Sequence, residues 1–226
     1  MLKIKSIDKK IKNFFKTNLR VAVFVLFILE LFINIWIVPT QYDGLYFIEK
    51  MNEMSMLKFI EMRYNTWTSR IILEIVTCFI LKKPALLWAL LNTIMTTLIG
   101  YSIMKIFVND DNKNLIWMTL CFVLIYPIFT VSSSGWGVGS IVYSWTLAML
   151  LFSMISIKNI YSGEKIKKYM YPIYSIALIF ACNQEQSCIV AFGIYFVFTI
   201  IAIIKDPTDN TVIYKDNNAV LDHFID

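Results

Sequence analysis

The sequence predicts an all-α fold: a polytopic membrane helix bundle with an external amphipathic loop helix after the first span. Three observations point there. Apolar stretches run from Val21 to Ile204 with only short polar breaks between them. Hydrophobic residues make up 58% of the chain and charged residues 16%, against roughly 25% charged in a soluble domain. Finally, Lys3, Lys5, Lys9, Lys10, Lys12, Lys16 and Arg20 precede the first apolar run, with only Asp8 among them.

That cationic segment, residues 1–20, reads as a cytoplasmic N-terminus by the positive-inside rule. Abundant Lys, Asn and Ile point to an AT-rich bacterial genome and so to a bacterial plasma membrane. The first span, Val21–Val38, holds Glu30 and Asn34 as its strongly polar members. It stays in the protein as a transmembrane helix, because Trp36-Ile37-Val38-Pro39 is too bulky for signal-peptide cleavage. Residues 39–70 form the external loop. There Met56, Phe59, Ile60, Tyr64 and Trp67 recur at helical spacing, as in a helix lying in the interface plane. Ile71–Leu81 is apolar but short, and Lys82-Lys83-Pro84 ends it.

Pro84–Val108 and Leu115–Val131 are the next spans, near the ~20 residues a bilayer core requires. A Ser- and Gly-rich stretch, Ser132–Ser140, leads into Ile141–Ile157, which Lys158, Lys165, Lys167 and Lys168 close. Tyr169–Ile204 is too long for one helix and is broken at Asn183–Ser187. The transmembrane domain covers residues 21–204, and residues 205–226 are a polar tail that starts with a helix stop at Asp206-Pro207.

Parity separates two topologies. If Trp67–Leu81 crosses, five spans precede the basic Lys158–Lys168 loop and place it outside. If Trp67–Leu81 lies in the interface, four spans precede that loop and both basic segments face the cytoplasm. The second arrangement is preferred, although Lys82-Lys83 reads as a cytoplasmic anchor under the first.

Several classes are excluded. The net charge of +5 is concentrated before the first span rather than spread over a surface, so the expected partner is membrane lipid and not nucleic acid. Cys78, Cys121, Cys182 and Cys188 stand singly in or beside apolar runs with no CxxC, and His223 lies in the tail, so neither a zinc site nor a disulfide framework is expected. No Walker loop, nucleophile elbow or HExxH element occurs.

Polar groups are expensive in a bilayer, so polar clusters are the candidate sites. Asp43, in Gln41-Tyr42-Asp43-Gly44, is either a general base or cation-holding carboxylate, or the Asp-Gly turn that opens the next helix. Arg63 and Arg70 either grip a phosphate or snorkel to the interface. Gly135, Gly137 and Gly139 around Trp136, followed by Ser140 and Tyr143, allow close approach of a ligand, with the indole stacking on a sugar ring. Glu185 and Gln186 sit in a polar break that is a tight hairpin or a broken helix presenting Glu185 to a cavity. Glu30, at mid-span, is expected either to be protonated or to pair with a polar neighbour such as Asn92, and is not expected to be catalytic.

In their order, these clusters resemble polytopic glycosyltransferases of the GT-C type and their bacterial relatives. The matching residues are Asp43, then Trp67 with Arg70, then Trp136, Gly139, Ser140 and Tyr143, then Glu185 with Gln186. Ser69 stands where that pattern has Gly, and Asp43 has no second adjacent acid. The resemblance spans residues 21 to about 190 and corresponds to the N-terminal half of such proteins. It implies transfer of a sugar from a polyprenyl-phosphate donor at the outer membrane–water interface. Asp43, with or without a divalent cation, and Glu185 would be catalytic. Arg63, Arg70, Trp136, Ser140, Tyr143 and Gln186 would bind substrate. The alternative is a non-enzymatic component of envelope-polysaccharide export or flipping, or an inactive fragment of a longer transferase.

Overall fold

A computed structural model describes residues 18–108, 112–125 and 136–204. The expectations placed on the cationic residues before position 18, on residues 126–135 (the end of the expected Leu115–Val131 span included), on the Trp136 side chain and on the polar tail lie outside the described residues. Among the described residues every element is helical. In chain order they are α1 (Asn18–Asn34), α2 (Asp43–Glu53), α3 (Met56–Thr66), α4 (Ile71–Leu81), α5 (Ala85–Phe107) and α6 (Lys113–Ile125). There follow α7, α8 (Met170–Cys182) and α9 (Glu185–Ile204). The α7 helix starts at Trp136–Gly139, passes through a π-helical turn at Ser140–Trp145 and continues as Thr146–Tyr161.

Local chemistry sets these limits. Ser55 precedes α3, and its Oγ accepts the Lys58 backbone N–H at 3.4 Å, satisfying one of the orphan donors of the first turn. The apolar run of α4 stops at Lys82-Lys83, and Pro84, which cannot continue a helix, precedes α5. Pro172 falls in the first turn of α8, where its missing N–H costs no hydrogen bond. Between α8 and α9 only Asn183 and Gln184 intervene, and Gln184 Oε1 accepts the Ser187 N–H at 2.7 Å as an N-cap.

Among the described residues two helices, Ala85–Phe107 and Gly137–Tyr161, are long and apolar enough to cross a membrane. Around them the others pack with alternating direction. A side chain at Gly100 of α5 would strike Leu26 of α1, while Asn34 of α1 bonds Thr93 of α5, so α1 and α5 run antiparallel. Trp88 of α5 bonds Ser140 and Asn92 bonds Trp145, so α5 and α7 run parallel. The Phe152 and Tyr174 rings lie 5.1 Å apart, and Leu150 packs with Ala181 and Ala191. Tyr195 donates to the Ser153 carbonyl at 3.3 Å, and Phe198 meets Tyr161. The α8–α9 pair is therefore a tight antiparallel hairpin, the first of the two arrangements that the polar break allowed.

These contacts bring the C-termini of α1 and α8 and the N-termini of α5, α7 and α9 to one end of the bundle. The α4 helix lies across that end. Near its N-terminus, the Leu73 N–H donates to Asn183 Oδ1 at 3.1 Å. At its C-terminus, Leu81 borders Gly44 and Gly137. Leu73 and Ile80 pack with Trp88, Ile141 and Trp145 below, while Cys78 and Leu81 pack with Phe47, Phe59 and Val138. The segment expected as an external amphipathic loop, residues 39–70, folds as α2 and α3, which pack with α4 into a three-helix platform. Phe59 and Ile60 of α3 are buried in it, whereas Tyr64 and Trp67, expected on the same face, are exposed because α3 turns its apolar side to α2 and α4.

Candidate functional site

The candidate residues sort into two groups at the polar end. The first forms around the carbonyl of Pro39. Its oxygen accepts the Gly137 N–H at 3.1 Å, and a Cβ built on Gly44 or Gly137 would lie 2.9 or 2.3 Å from it. Only glycine allows the loop after α1 to wedge between the starts of α2 and α7. The Gly44 N–H also bonds the Gln41 carbonyl at 3.0 Å, closing a turn in which Tyr42 has φ +50° and ψ −116°. That is the first central position of a type II′ turn, normally held by glycine, and strain of this kind costs about 1–3 kcal/mol. Asp43 follows it, exposed in the first turn of α2 where a carboxylate suits the helix dipole. The turn reading of Asp43 is therefore the structure's arrangement, and its carboxylate still reaches solvent.

The second group joins α4 to the hairpin. Arg70 Nε donates to Glu185 Oε2 at 2.7 Å, across 115 residues of sequence. Arg70 is 28% exposed and Glu185 52%, so in this pair the solvent screens most of the attraction. Gln186 is exposed and accepts from Gln184 Nε2 at 3.3 Å. We expect Arg70→Ala to change stability by only about 0–1 kcal/mol. Thermal unfolding at low and high salt checks this, since the difference should vanish as screening rises.

The groups do not form one centre. Asp43 adjoins the C-terminus of α4 and Arg70 its N-terminus, and the 11 residues of α4 measure about 16 Å at 1.5 Å per residue. Asp43 and Glu185 cannot act on the same atom. Lys82 and Lys83, exposed at the C-terminus of α4, are the cations at the Asp43 end.

Arg63 is already engaged. It donates through Nε and Nη2 to both carboxylate oxygens of Glu74, at 3.2 and 2.9 Å, and its guanidinium lies 5.1 Å from the centre of the Phe47 ring. This fork-to-fork pair pins α3 to α4. Ser140 is buried, accepts from the Trp88 indole at 3.0 Å and donates to the Gly137 carbonyl at 3.2 Å. Both bonds are internal, so Ser140 braces α7 against α5. The π-helical turn directs Ser140 and Trp145 to α5 and leaves Tyr143 exposed. Trp136 opens α7 immediately before Gly137. Among the described residues no group of three His, Cys, Asp or Glu could hold a metal ion.

No protein-family model, curated protein sequence or solved structure matches the chain.

Proposed function

We propose that the chain is a multi-pass membrane protein. In this reading α1, α5, α6, α7, α8 and α9 cross the bilayer, and the α2–α4 platform lies in the outer interface. The placement of Asp43, Arg70 and Glu185 at one end of the bundle supports it most. The opposite end collects Arg20, Lys105, Lys113, Lys158, Lys165, Lys167 and Lys168, which makes that end cytoplasmic by the positive-inside rule. Four crossings then precede the Lys158–Lys168 loop. On the exposed side of α4, Ile71, Ile72, Ile75 and Phe79 present an apolar strip suited to the acyl boundary.

The activity we propose is transfer of a sugar from a polyprenyl-phosphate donor at this interface, as the GT-C resemblance implies. Asp43 is the base that activates the acceptor hydroxyl, at the glycine-lined wedge beside α7. Lys82 and Lys83 hold the donor phosphate in place of Arg63, and Tyr143 borders the sugar. The Leu73–Asn183 hydrogen bond joins the hairpin to the platform, with the solvent-screened Arg70–Glu185 pair beside it. One observation favours the non-enzymatic export reading: both candidate arginines already face carboxylates, which leaves recognition to the two lysines.

The test is transfer of labelled hexose from a polyprenyl-phosphate hexose in vesicles carrying the whole chain. Asp43→Asn should lower the rate about 100-fold or more, the range for loss of a general base. Transfer that is undiminished in Asp43→Asn, or missing with the unaltered chain, would contradict the proposal.

A further inference from the structure

The contact between α1 and α5 encloses a polar seam. From the polar end inward, the Trp145 indole donates to Asn92 Oδ1 at 2.8 Å, and Asn92 Nδ2 donates to Asn34 Oδ1 at 2.8 Å. Asn34 Nδ2 in turn donates to Thr93 Oγ1 at 3.2 Å and to the Glu30 carbonyl at 2.9 Å. One turn deeper lies the Glu30 side chain, 2% exposed, bordered by Thr96 and Asn34.

There the partners run out. Glu30 Oε2, Thr97 Oγ1 and, further along α5, Ser102 Oγ are buried without a hydrogen-bond partner. Thr93 and Thr96 return their hydroxyls to the carbonyls of Ala89 and Asn92, but Thr97 does not. The Asn34–Thr93 bond above and the Leu26–Gly100 contact below place Glu30 level with Thr96 and Thr97. Glu30 Oε2 and Thr97 Oγ1 share this level without bonding each other, and a single molecule between them would satisfy both.

An ionised carboxylate at this depth is costly unless something neutralises it. No cationic side chain faces Glu30 among the described residues. On α1, Arg20 is ten residues away. On α5, Tyr101 and Lys105 lie a turn or more towards the opposite end, and on α6 Lys113 is at that end while Cys121 is exposed. On α7, Tyr143 is exposed, and Lys158 and Tyr161 close the far end. Two unpartnered oxygens are also too few for a hard divalent cation, which takes six or more oxygen ligands.

We propose that Glu30 is a proton-binding site inside the bundle, its carboxyl joined to Thr97 by one buried water and reached from the polar end along the Asn34–Asn92 seam. The site is independent of the sugar-transfer reading, because it needs only the α1–α5 contact. A proton suits it because it neutralises the carboxyl without adding ligands, and the water supplies the partner that both orphan oxygens lack. Ser102, deeper on α5, marks how far the polar lining extends.

Infrared difference spectra of the whole chain in lipid vesicles, taken across pH steps, read this site directly. The carbonyl stretch of a protonated carboxylic acid should disappear as pH rises and be missing in Glu30→Gln. Thr97→Val should move the midpoint of that change to higher pH, because the ionised form loses its bridging water. The Thr97→Val arm stands even where Glu30→Gln fails to fold. A band that persists in Glu30→Gln or does not respond to pH would overturn the proposal. So would a midpoint unmoved in Thr97→Val, or one that sodium at constant ionic strength moves to lower pH, so that about tenfold more protons are needed, which would mark a metal-cation site.

Discussion

Arg63→Ala is expected to cost about 3–5 kcal/mol of stability, the range for removing one partner of a buried ion pair. Glu74 is the reason. Its side chain is 8% exposed, against 15% for Arg63, and without the guanidinium both of its oxygens would face the apolar floor of the platform. The variant also loses the Arg63 stack over Phe47. Arg63→Lys should recover part of the loss, since an ammonium keeps the charge but not the two-point fork. Arg63→Met combined with Glu74→Leu should recover most of it, because neither charge then remains buried. Thermal unfolding of the detergent-solubilised chain measures the series. Equal stability of Arg63→Ala and the unaltered chain would show that the pair does not join α3 to α4.

Gly137→Ala should be the next most damaging change. The new Cβ would lie 2.3 Å from the Pro39 carbonyl oxygen and 2.8 Å from Leu81 Cδ2. Backbone cannot move aside as a flexible side chain can, so the Pro39–Gly137 hydrogen bond must break or α7 must shift. Overpacking of this order costs about 1–3 kcal/mol, or roughly 2–4 °C in melting temperature per kcal/mol in a chain of this size. Gly193→Ala is the internal control. A Cβ there meets nothing within 4 Å, and replacing a mid-helix glycine should stabilise by about 0.5–1 kcal/mol. Opposite signs for the two substitutions in the same unfolding assay would locate the effect in the wedge rather than in helix propensity.

The helices were legible where punctuation and apolar length agree. Pro84 and the polar residues after Val108 bracket α5 closely. Asn183 and Gln184 marked a break in the long apolar run but left a hairpin and a broken helix both open. Only the packing of α8 and α9 against α7 decides for the hairpin. Partnership was less legible. Glu74 lies in the apolar run Ile71–Leu81 and drew no attention, although the expense of a carboxylate there would have predicted a cationic partner nearby. Asn92 was expected to face Glu30; it instead bonds Asn34 and the Trp145 indole, because the π-helical turn rotates Trp145 into the α5 surface. Ser140 stood out beside its glycines as a ligand group, and the same turn directs it to Trp88. The separation of Asp43 from Glu185 by the length of α4 depends on how that helix lies, which no local spacing reveals.

The central claim is that α4 rests on one end of the bundle and does not cross. Single cysteines at Trp67, Lys82, Gln186 and Lys165, in a chain with its four native thiols replaced, test it with a membrane-impermeant thiol reagent in intact cells. The arrangement predicts labelling of Trp67, Lys82 and Gln186 from outside, and of Lys165 only after permeabilisation. Labelling of Trp67 and Lys82 from opposite sides would show that α4 crosses and would contradict the account.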